Sequence, residues 1–441
     1  MYDIGFLNGD IYVEGHFFRR NIYISADKIA LITEAIETAA EVIDCSGLKI
    51  MPGFIDPHVH MALNVGEFTS ADDFESGTCA AAFGGVTTIL DFLDPIQTLS
   101  EFQTVMERRL KEAEGACLDY SFHLTLGNFK ALNEIPELLS KAYNRGINSV
   151  KVFTTYSDSD RKCSDEIIAA ILGTDMLLMA HSENDELVNT AHEEVASFEE
   201  ARPVLAEMSA VAKLAEIAAY EKGCLYIVHT SAGSTVEMMA KRYSDLLGKR
   251  IFLESCPQYF YLTNQSFKGR DGRKFLLAPP LRSEEEQYKL RKQLHRLSTI
   301  GTDHCPFMAA EKLQYEGAGK VPKGIGGIEY SFLLMHTLYG DEVIDHFTCR
   351  PAKIFGLQEK GCLDIGMDAD LVLFDPKGTT VVDSGHSSCD YSPYEGLVLQ
   401  GKIKSTVSRG NFVVKDGVFL GGKGRYIRRR YCESDHQCYN L

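Results

Sequence analysis

The sequence predicts an α/β fold, a (β/α)8 barrel with a small β domain assembled from both ends of the chain. Three observations predict it. Eight short apolar runs rich in β-branched residues recur between positions 53 and 304, and helix-like segments separate them. Both flanks of that region alternate polar and apolar residues between NG, DG and RG turns. Eight strands alternating with helices over about 300 residues is the arithmetic of this barrel.

The strand candidates, in order, are GFIDPHVH (53–60), VTTILDF (86–92), DYSFHLTL (119–126), SVKVF (149–153), DMLLMAH (175–181), CLYIVH (224–229), RIFLESC (250–256) and LSTIGTDH (297–304). Between them, DDFESGTCAAAFGG, SEFQTVMERRLKEAEG, EIPELLSKAYNRG, EMSAVAKLAEIAAYEKG and STVEMMAKRYSDLLG place apolar residues three and four apart, and several end in glycine. That is the pattern of amphipathic helices with a glycine past the last turn. The barrel is assigned to residues 54–356. Residues 1–53 and 357–421 carry hairpin signals and are expected to meet as one β domain, since an isolated pair of strands is marginal in water. Residues 422–441 form a polar, cysteine-bearing tail, expected as an arm onto a neighbouring subunit or as a disordered end.

Composition narrows the function. A formal charge of −17, with GRYIRRR near the C-terminus as the one basic cluster, tells against nucleic acid and anionic membrane surfaces. No run approaches the roughly 18 apolar residues of a spanning helix, and no signal-peptide pattern opens the chain. The expected setting is cytoplasmic, with a small-molecule partner. Twelve cysteines lie scattered without a CxxC pair, so they read as reduced thiols in a chain too large to need stapling. Cys305, two residues past Asp303, reads as a small apolar filler.

The polar residues then fall in a telling place. Barrel chemistry gathers at the C-terminal ends of the strands, and His58 and His60 close the first run, Lys151 lies in the fourth, His181 closes the fifth, His229 the sixth, and Asp303 the eighth. Side chains two apart on a strand share a face, so His58 and His60 stand side by side as a chelate. One HxH is as readily a plain strand end; six ligand-type residues on five strand ends are much harder to explain that way. Imidazole and carboxylate both suit divalent transition metals. Lys151 fits only in one of two ways: paired with a nearby acid, or carbamylated by carbon dioxide, which turns the cation into a carboxylate that can bridge two ions.

The runs MPGFIDPHVH, SADDFESGTCAAAFGGVTTILDF, VKVFTTY, AHSEND, YIVHTSAG, ESCPQYFYLT, APPLR, GTDHCPF, RPAKIFGL and DYSPYEGL together resemble the hydantoinase/dihydropyrimidinase branch of the cyclic amidohydrolases. The resemblance covers nearly the whole chain. It implies a metal-dependent barrel with a β-sandwich at its termini, usually a homotetramer, that opens a cyclic imide or ureide ring. By motif, His58 and His60 match the HxH ligands and Lys151 the carbamylated bridging lysine. His181 and His229 match the ligands of the second ion, and Asp303 the strand-eight ligand and proton carrier. Tyr156 matches the tyrosine that hydrogen-bonds the substrate carbonyl. The implied cofactors are two divalent ions, zinc with manganese and iron as alternatives. A water between such ions loses a proton near neutral pH. Asp303 then takes the remaining proton and returns it to the departing ring nitrogen.

Two expected substrate-binding positions depart from that pattern. Ala278 precedes PPLR where serine is common, and Lys323 stands in VPKGIGGIE where an asparagine meets the ring. A cation at 323 either recruits a substrate carboxylate or lies out in solvent; the expected consequence is a preference away from plain dihydrouracil and simple hydantoins. MALNVGEF after HVH lacks the arginine of dihydroorotases. Loops 61–70, 93–100 and 154–163 are expected to line the pocket, with Met61, Leu63, Phe68, Leu93 and Ile96 as its apolar wall. The alternatives are an allantoinase-like ureidohydrolase and, from another class, a non-catalytic scaffold on the same fold, which the retention of all six ligand-type residues disfavours.

Overall fold

The computed structural model describes residues 1–430. The eight runs become eight parallel strands: β1 (Phe54–Val59), β2 (Val86–Phe92), β3 (Asp119–Thr125), β4 (Ser149–Phe153), β5 (Leu177–His181), β6 (Cys224–Ile227), β7 (Ile251–Ser255) and β8 (Thr299–Ile300). They pair in sequence order, and a parallel bridge between Val59 and His304 closes β8 onto β1. Their near-continuous burial explains why they read as apolar runs rather than as alternating patterns.

Helices cover the outside: α1 (Phe74–Phe83), α2 (Glu101–Glu112), α3 (Ile135–Asn144), α4 (Asp165–Leu172), α5 (Val204–Glu221), α6 (Gly233–Arg242), α7 (Glu284–Arg291) and α8 (Ser331–Tyr339). Side-chain caps start several of them. Asp73 and Ser76 form a reciprocal capping box on α1, and Ser164 and Ser283 cap α4 and α7. The periodicity through STVEMMAKRYSDLLG suggests a helix to Gly248, yet α6 ends at Arg242. Residues 243–250 instead turn back through amide bonds onto the carbonyls of Tyr243 and Leu246.

The flanking segments meet in one mixed sheet. Lys49–Pro52 runs antiparallel to Leu371–Val381, with Met51 opposite Val372, so the two chain ends are joined at that ladder. Phe6, Ile11, Ile22, Ile24, Leu371 and Val407 form its own buried core. No described helix is long and apolar enough to cross a membrane.

The tail expectation fails for residues 422–430. This stretch packs on the barrel's own β3: Tyr120 donates to Arg425 O at 3.0 Å and Ile427 donates to Tyr120 O at 2.7 Å. Arg429 is fully buried, its Nε on Ser121 Oγ at 3.0 Å. The basic cluster is split: Arg429 is buried and Arg425 pairs with Asp368 at 2.8 Å, while Arg428 and Arg430 are exposed. Residues 431–441, the remainder of the tail, lie outside the described residues.

Beside it sits a buried charge cluster. Lys360 Nζ contacts Asp119 at 2.8 Å, Asp368 at 3.0 Å and Asp370 at 2.7 Å, all nearly excluded from water. Lys360 ties the turn before Leu371 to the start of β3. Replacing it by methionine leaves Asp370 without its cation, while Asp119 keeps Arg409 and Asp368 keeps Lys28 and Arg425; loss of one partner from a buried ion pair costs about 3–5 kcal/mol. Lys360→Met is expected to lower the free energy of unfolding by that amount, read as a lower urea midpoint at unchanged m-value.

Candidate active site

His58 Nε2 and His60 Nε2 lie 3.3 Å apart at the end of β1. Asp303, on the turn after β8, brings one carboxylate oxygen to 3.2 Å and 3.1 Å from those two nitrogens. The donor atoms of these three residues fall within 4.8 Å of one another, a spacing that can hold a metal ion. Across the barrel mouth, His181 Nδ1 from β5 and His229 Nε2 after β6 are 3.0 Å apart. The two pairs adjoin, with the His58 and His229 ring centroids 5.4 Å apart. Lys151 enters between them from β4, its Nζ 5.0 Å from the centre of the Phe92 ring that also packs on His58 and His60. All six line one cavity of about 670 Å³.

Burial sets the protonation states. Desolvation lowers His60 and His181, and lowers His229 well below the usual imidazole range, which leaves neutral rings with lone pairs for a metal. For His58 burial acts the same way, but the carboxylates of Glu254 and Asp303 outweigh it and push the ring up to about 9. A cation on Nε2 satisfies those carboxylates as a proton does. Burial raises Asp303, yet His58 and His60 overcome it and hold the carboxylate well below its ordinary range. Lys151 is lowered to about 8 by burial, against the pull of Asp303 and Glu254. No hydrogen bond or ion pair reaches its Nζ among the described residues. His60 Nδ1 and His229 Nδ1 are buried without partners.

Three of the expected residues hold left-handed backbone: Tyr156 at φ 68°, His229 at φ 40° and Asp303 at φ 52°. For residues with a Cβ this conformation is costly and clusters at functional sites. Tyr156 lines the cavity with its ring 5.1 Å from that of His181 and the Arg202 guanidinium 4.9 Å from its centre.

The substrate-side expectations fare unevenly. Ala278 lies on the cavity wall. Lys323 also faces the cavity, but its Nζ donates to the carbonyls of Ala318, of Gly319 at 3.1 Å and of Val321 at 2.8 Å, all in its own loop. Leu63, Phe68 and Leu93 line the cavity, whereas Met61 and Ile96 are wholly buried in the core, Met61 lying against Gly77 of α1. Residues 189–202 and 315–324 contribute further walls that the loop assignment left out.

The sequence reading also missed the residues that orient the histidines. Glu254 Oε1 on β7 meets His58 Nδ1 at 2.8 Å, and Glu183 Oε2 meets His181 Nε2 at 2.6 Å. Arg202 in turn grips Glu183, its Nε 3.0 Å from each carboxylate oxygen. A carboxylate on the far nitrogen fixes the tautomer and aims the other toward a metal. The available signal was position: Glu183 lies two residues past His181, and Glu254 lies two residues before the end of the seventh run, where no candidate had been assigned.

A sequence model described as the amidohydrolase family matches residues 50–413. The chain belongs to that family. Within it, the chain sits in the hydantoinase/dihydropyrimidinase branch. It is 33% identical to a D-hydantoinase from Geobacillus stearothermophilus across 96% of this chain and 95% of the relative. It is also 33% identical to a D-phenylhydantoinase from Escherichia coli O127:H6 across 88% and 90%. The crystal structure of a dihydropyrimidinase from Brevibacillus agri NCHU1002 superposes with a TM-score of 0.92 at 30% identity, covering 98% of this chain and all of that one. An L-hydantoinase (dihydropyrimidinase) from Arthrobacter aurescens gives 0.85 at 26% identity, over 98% and 100%. These matches carry the barrel with its β-sandwich and the metal dependence of the family, which the His58, His60 and Asp303 donor set fits.

Glu254 aims His58 without reaching the cavity itself. Glu254→Gln is expected to weaken metal retention by roughly 10–100-fold, measured by titration with a chelator and metal analysis, with the far-UV circular dichroism unchanged.

Proposed function

We propose that this cyclic amidohydrolase opens the ring of a hydantoin, a dihydropyrimidine or a related imide or ureide by hydrolysis. In this reading His58, His60, Lys151, His181, His229 and Asp303 hold two divalent ions, zinc first with manganese or iron as alternatives, and Lys151 does so as a carbamate. Bound there, such ions polarise a carbonyl and bring the ionisation of water near neutral pH.

The observation that carries the reading is Lys151, buried at the barrel mouth among ligand-type residues with no carboxylate in ion-pair range among the described residues. An ordinary structural lysine in that position has an acid partner. Its lowered pKa favours the free amine, whose lone pair attacks carbon dioxide, with loss of a proton, to give the carbamate. Asp303, ionised and facing the cavity, takes the proton of the attacking water and delivers it to the departing ring nitrogen. The Tyr156 hydroxyl donates to the oxyanion that forms on the ring carbonyl. The strained backbone at 156 and 303 supports fixed positions for both groups. Ala278 and Lys323 shape the ring's edge of the pocket in this proposal, and a cytoplasmic homotetramer is its setting.

The test is a hydrolysis screen of hydantoin, dihydrouracil, glutarimide and allantoin on protein with measured metal content. Turnover of a hydantoin or dihydropyrimidine is expected with about two ions per subunit, and chelation should abolish it. Tyr156→Phe removes one oxyanion donor and is expected to lower kcat by roughly 10²–10³, while Asp303→Asn abolishes turnover. A fully loaded protein that opens none of these rings refutes the reading.

A further inference from the structure

The loop after β4 is pinned by hydrogen bonds on both sides of Arg161. Asp185 accepts from Thr155 Oγ1 at 3.1 Å, from Ser157 N at 3.3 Å and from Lys162 Nζ at 3.3 Å. The Asp160 carboxylate accepts from Asn128 and from Gln97 Nε2, the latter at 2.9 Å, and its carbonyl accepts from Asn128 N at 3.0 Å. Between these anchors the backbone takes left-handed turns at Tyr156 and Asp160 and folds back so that Arg161 N donates to Tyr156 O at 3.0 Å. Arg161 is thus held in fixed relation to the tyrosine of the site.

Its guanidinium, by contrast, has no ion pair and no side-chain hydrogen bond among the described residues. Arg161 is half-buried, lines the same cavity as Tyr156 and Lys151, and lies over the Phe153 ring at 5.9 Å, the ring that Lys151 Nζ approaches at 5.6 Å. Asp158 on the same loop is exposed and out of ion-pair range. Of the other cavity cations, Arg202 is committed to Glu183 and Lys323 to three carbonyls, while Lys320 is exposed at the rim with its Nζ 5.7 Å from the Tyr315 ring. An ammonium has three donors, so Lys323 has none left over. A half-buried arginine fork with five free donors, aimed into a cavity on a rigid loop, is matched to a planar anion.

We infer that the ring taken by this site carries an anionic substituent, a carboxylate on a short side chain, and that Arg161 receives it. This deepens the ring-opening reading and rests on it. The anion role, one of the two alternatives for position 323, falls to position 161, where the guanidinium carbon lies over the Phe153 ring at 5.9 Å.

The experiment compares 5-(2-carboxyethyl)hydantoin with its neutral isostere 5-(2-carbamoylethyl)hydantoin on wild type, Arg161→Gln and Arg161→Lys. Wild type is expected to favour the acid in kcat/KM by roughly 10–100-fold, the worth of a charge-assisted hydrogen-bonded pair. Arg161→Gln should bring the ratio near one, and Arg161→Lys should keep part of it. Equal use of both rings by wild type, or an unchanged ratio in Arg161→Gln, overturns the inference. Calorimetric binding of the two ligands to the same three proteins reads the preference without turnover. A metal-loaded protein that hydrolyses neither ring therefore counts against the ring-opening reading alone, and the binding ratio still decides the role of Arg161.

Discussion

The seam between β8 and β1 is the constraint on which the site depends. His60 N donates to His304 O and Asp303 N donates to His58 O, each at 2.9 Å. The bonds that close the barrel are therefore made by the backbone of the HxH pair and of the residue that faces it. Asp56 staples the seam from inside: its carboxylate accepts from His58 N at 3.1 Å, Thr302 N at 3.2 Å and Thr302 Oγ1 at 2.6 Å. Closure and assembly of the donor set are one event. An open barrel at this seam loses the hydrogen bonds and also carries Asp303 away from both imidazoles.

What the seam brings together, burial then makes reactive. Phe92 packs on His58, His60 and His123 and under Lys151, so the low-dielectric wall that disfavours imidazolium also disfavours ammonium. The same wall does different work on different groups. It leaves His60, His181 and His229 neutral and holds Lys151 near the pH at which an amine becomes nucleophilic. The charged partners that oppose it are buried too, Glu254 and Glu183, and each touches a histidine on the nitrogen turned away from its neighbour in the site. His304 shows the same device outside the donor set. It meets Asp72 at 2.8 Å, and Asp72 accepts from Ser388 N at 2.7 Å, so a buried carboxylate links the strand-eight turn to the loop of the second domain.

The parts legible in sequence were those written in strong periodicity or at strand ends. Eight apolar runs mark eight strands because both faces of each are buried, and the donors stand where each run stops because that is where the chain reaches the cavity. The orienting acids were illegible for a physical reason: a buried carboxylate whose partner lies 196 residues away, as His58 lies from Glu254, leaves no local pattern. The eight-residue α4 offers too short a stripe to stand out. Lys323 misled because residue type does not tell where a flexible stem ends; the loop carbonyls around it captured an ammonium that the sequence left free to face a ligand. Arg161 was passed over for the converse reason. The carboxylates of Asp185 and Asp160 beside it are taken by other donors, which is visible only once those donors are placed.

The two ends of the barrel divide stability from chemistry. At the end where the strands begin, Lys360 satisfies three buried carboxylates, Arg425 pairs with Asp368, and Arg429 fills the interior beside Ser121. At the end where they stop, His60 and His229 keep buried unpartnered nitrogens and three residues hold left-handed backbone. Each such feature costs on the order of 1–3 kcal/mol when nothing occupies the site. A fold with a marginal balance tolerates that sum only if the opposing end over-determines the barrel, and the tail packed along β3 does so with backbone pairing as well as charge. The nitrogens turned to the donor set are His60 Nε2, toward Asp303, and His229 Nε2, toward His181; the unpartnered ones are the other ring nitrogens, so their cost falls on the scaffold and is offset from the opposite end of the barrel.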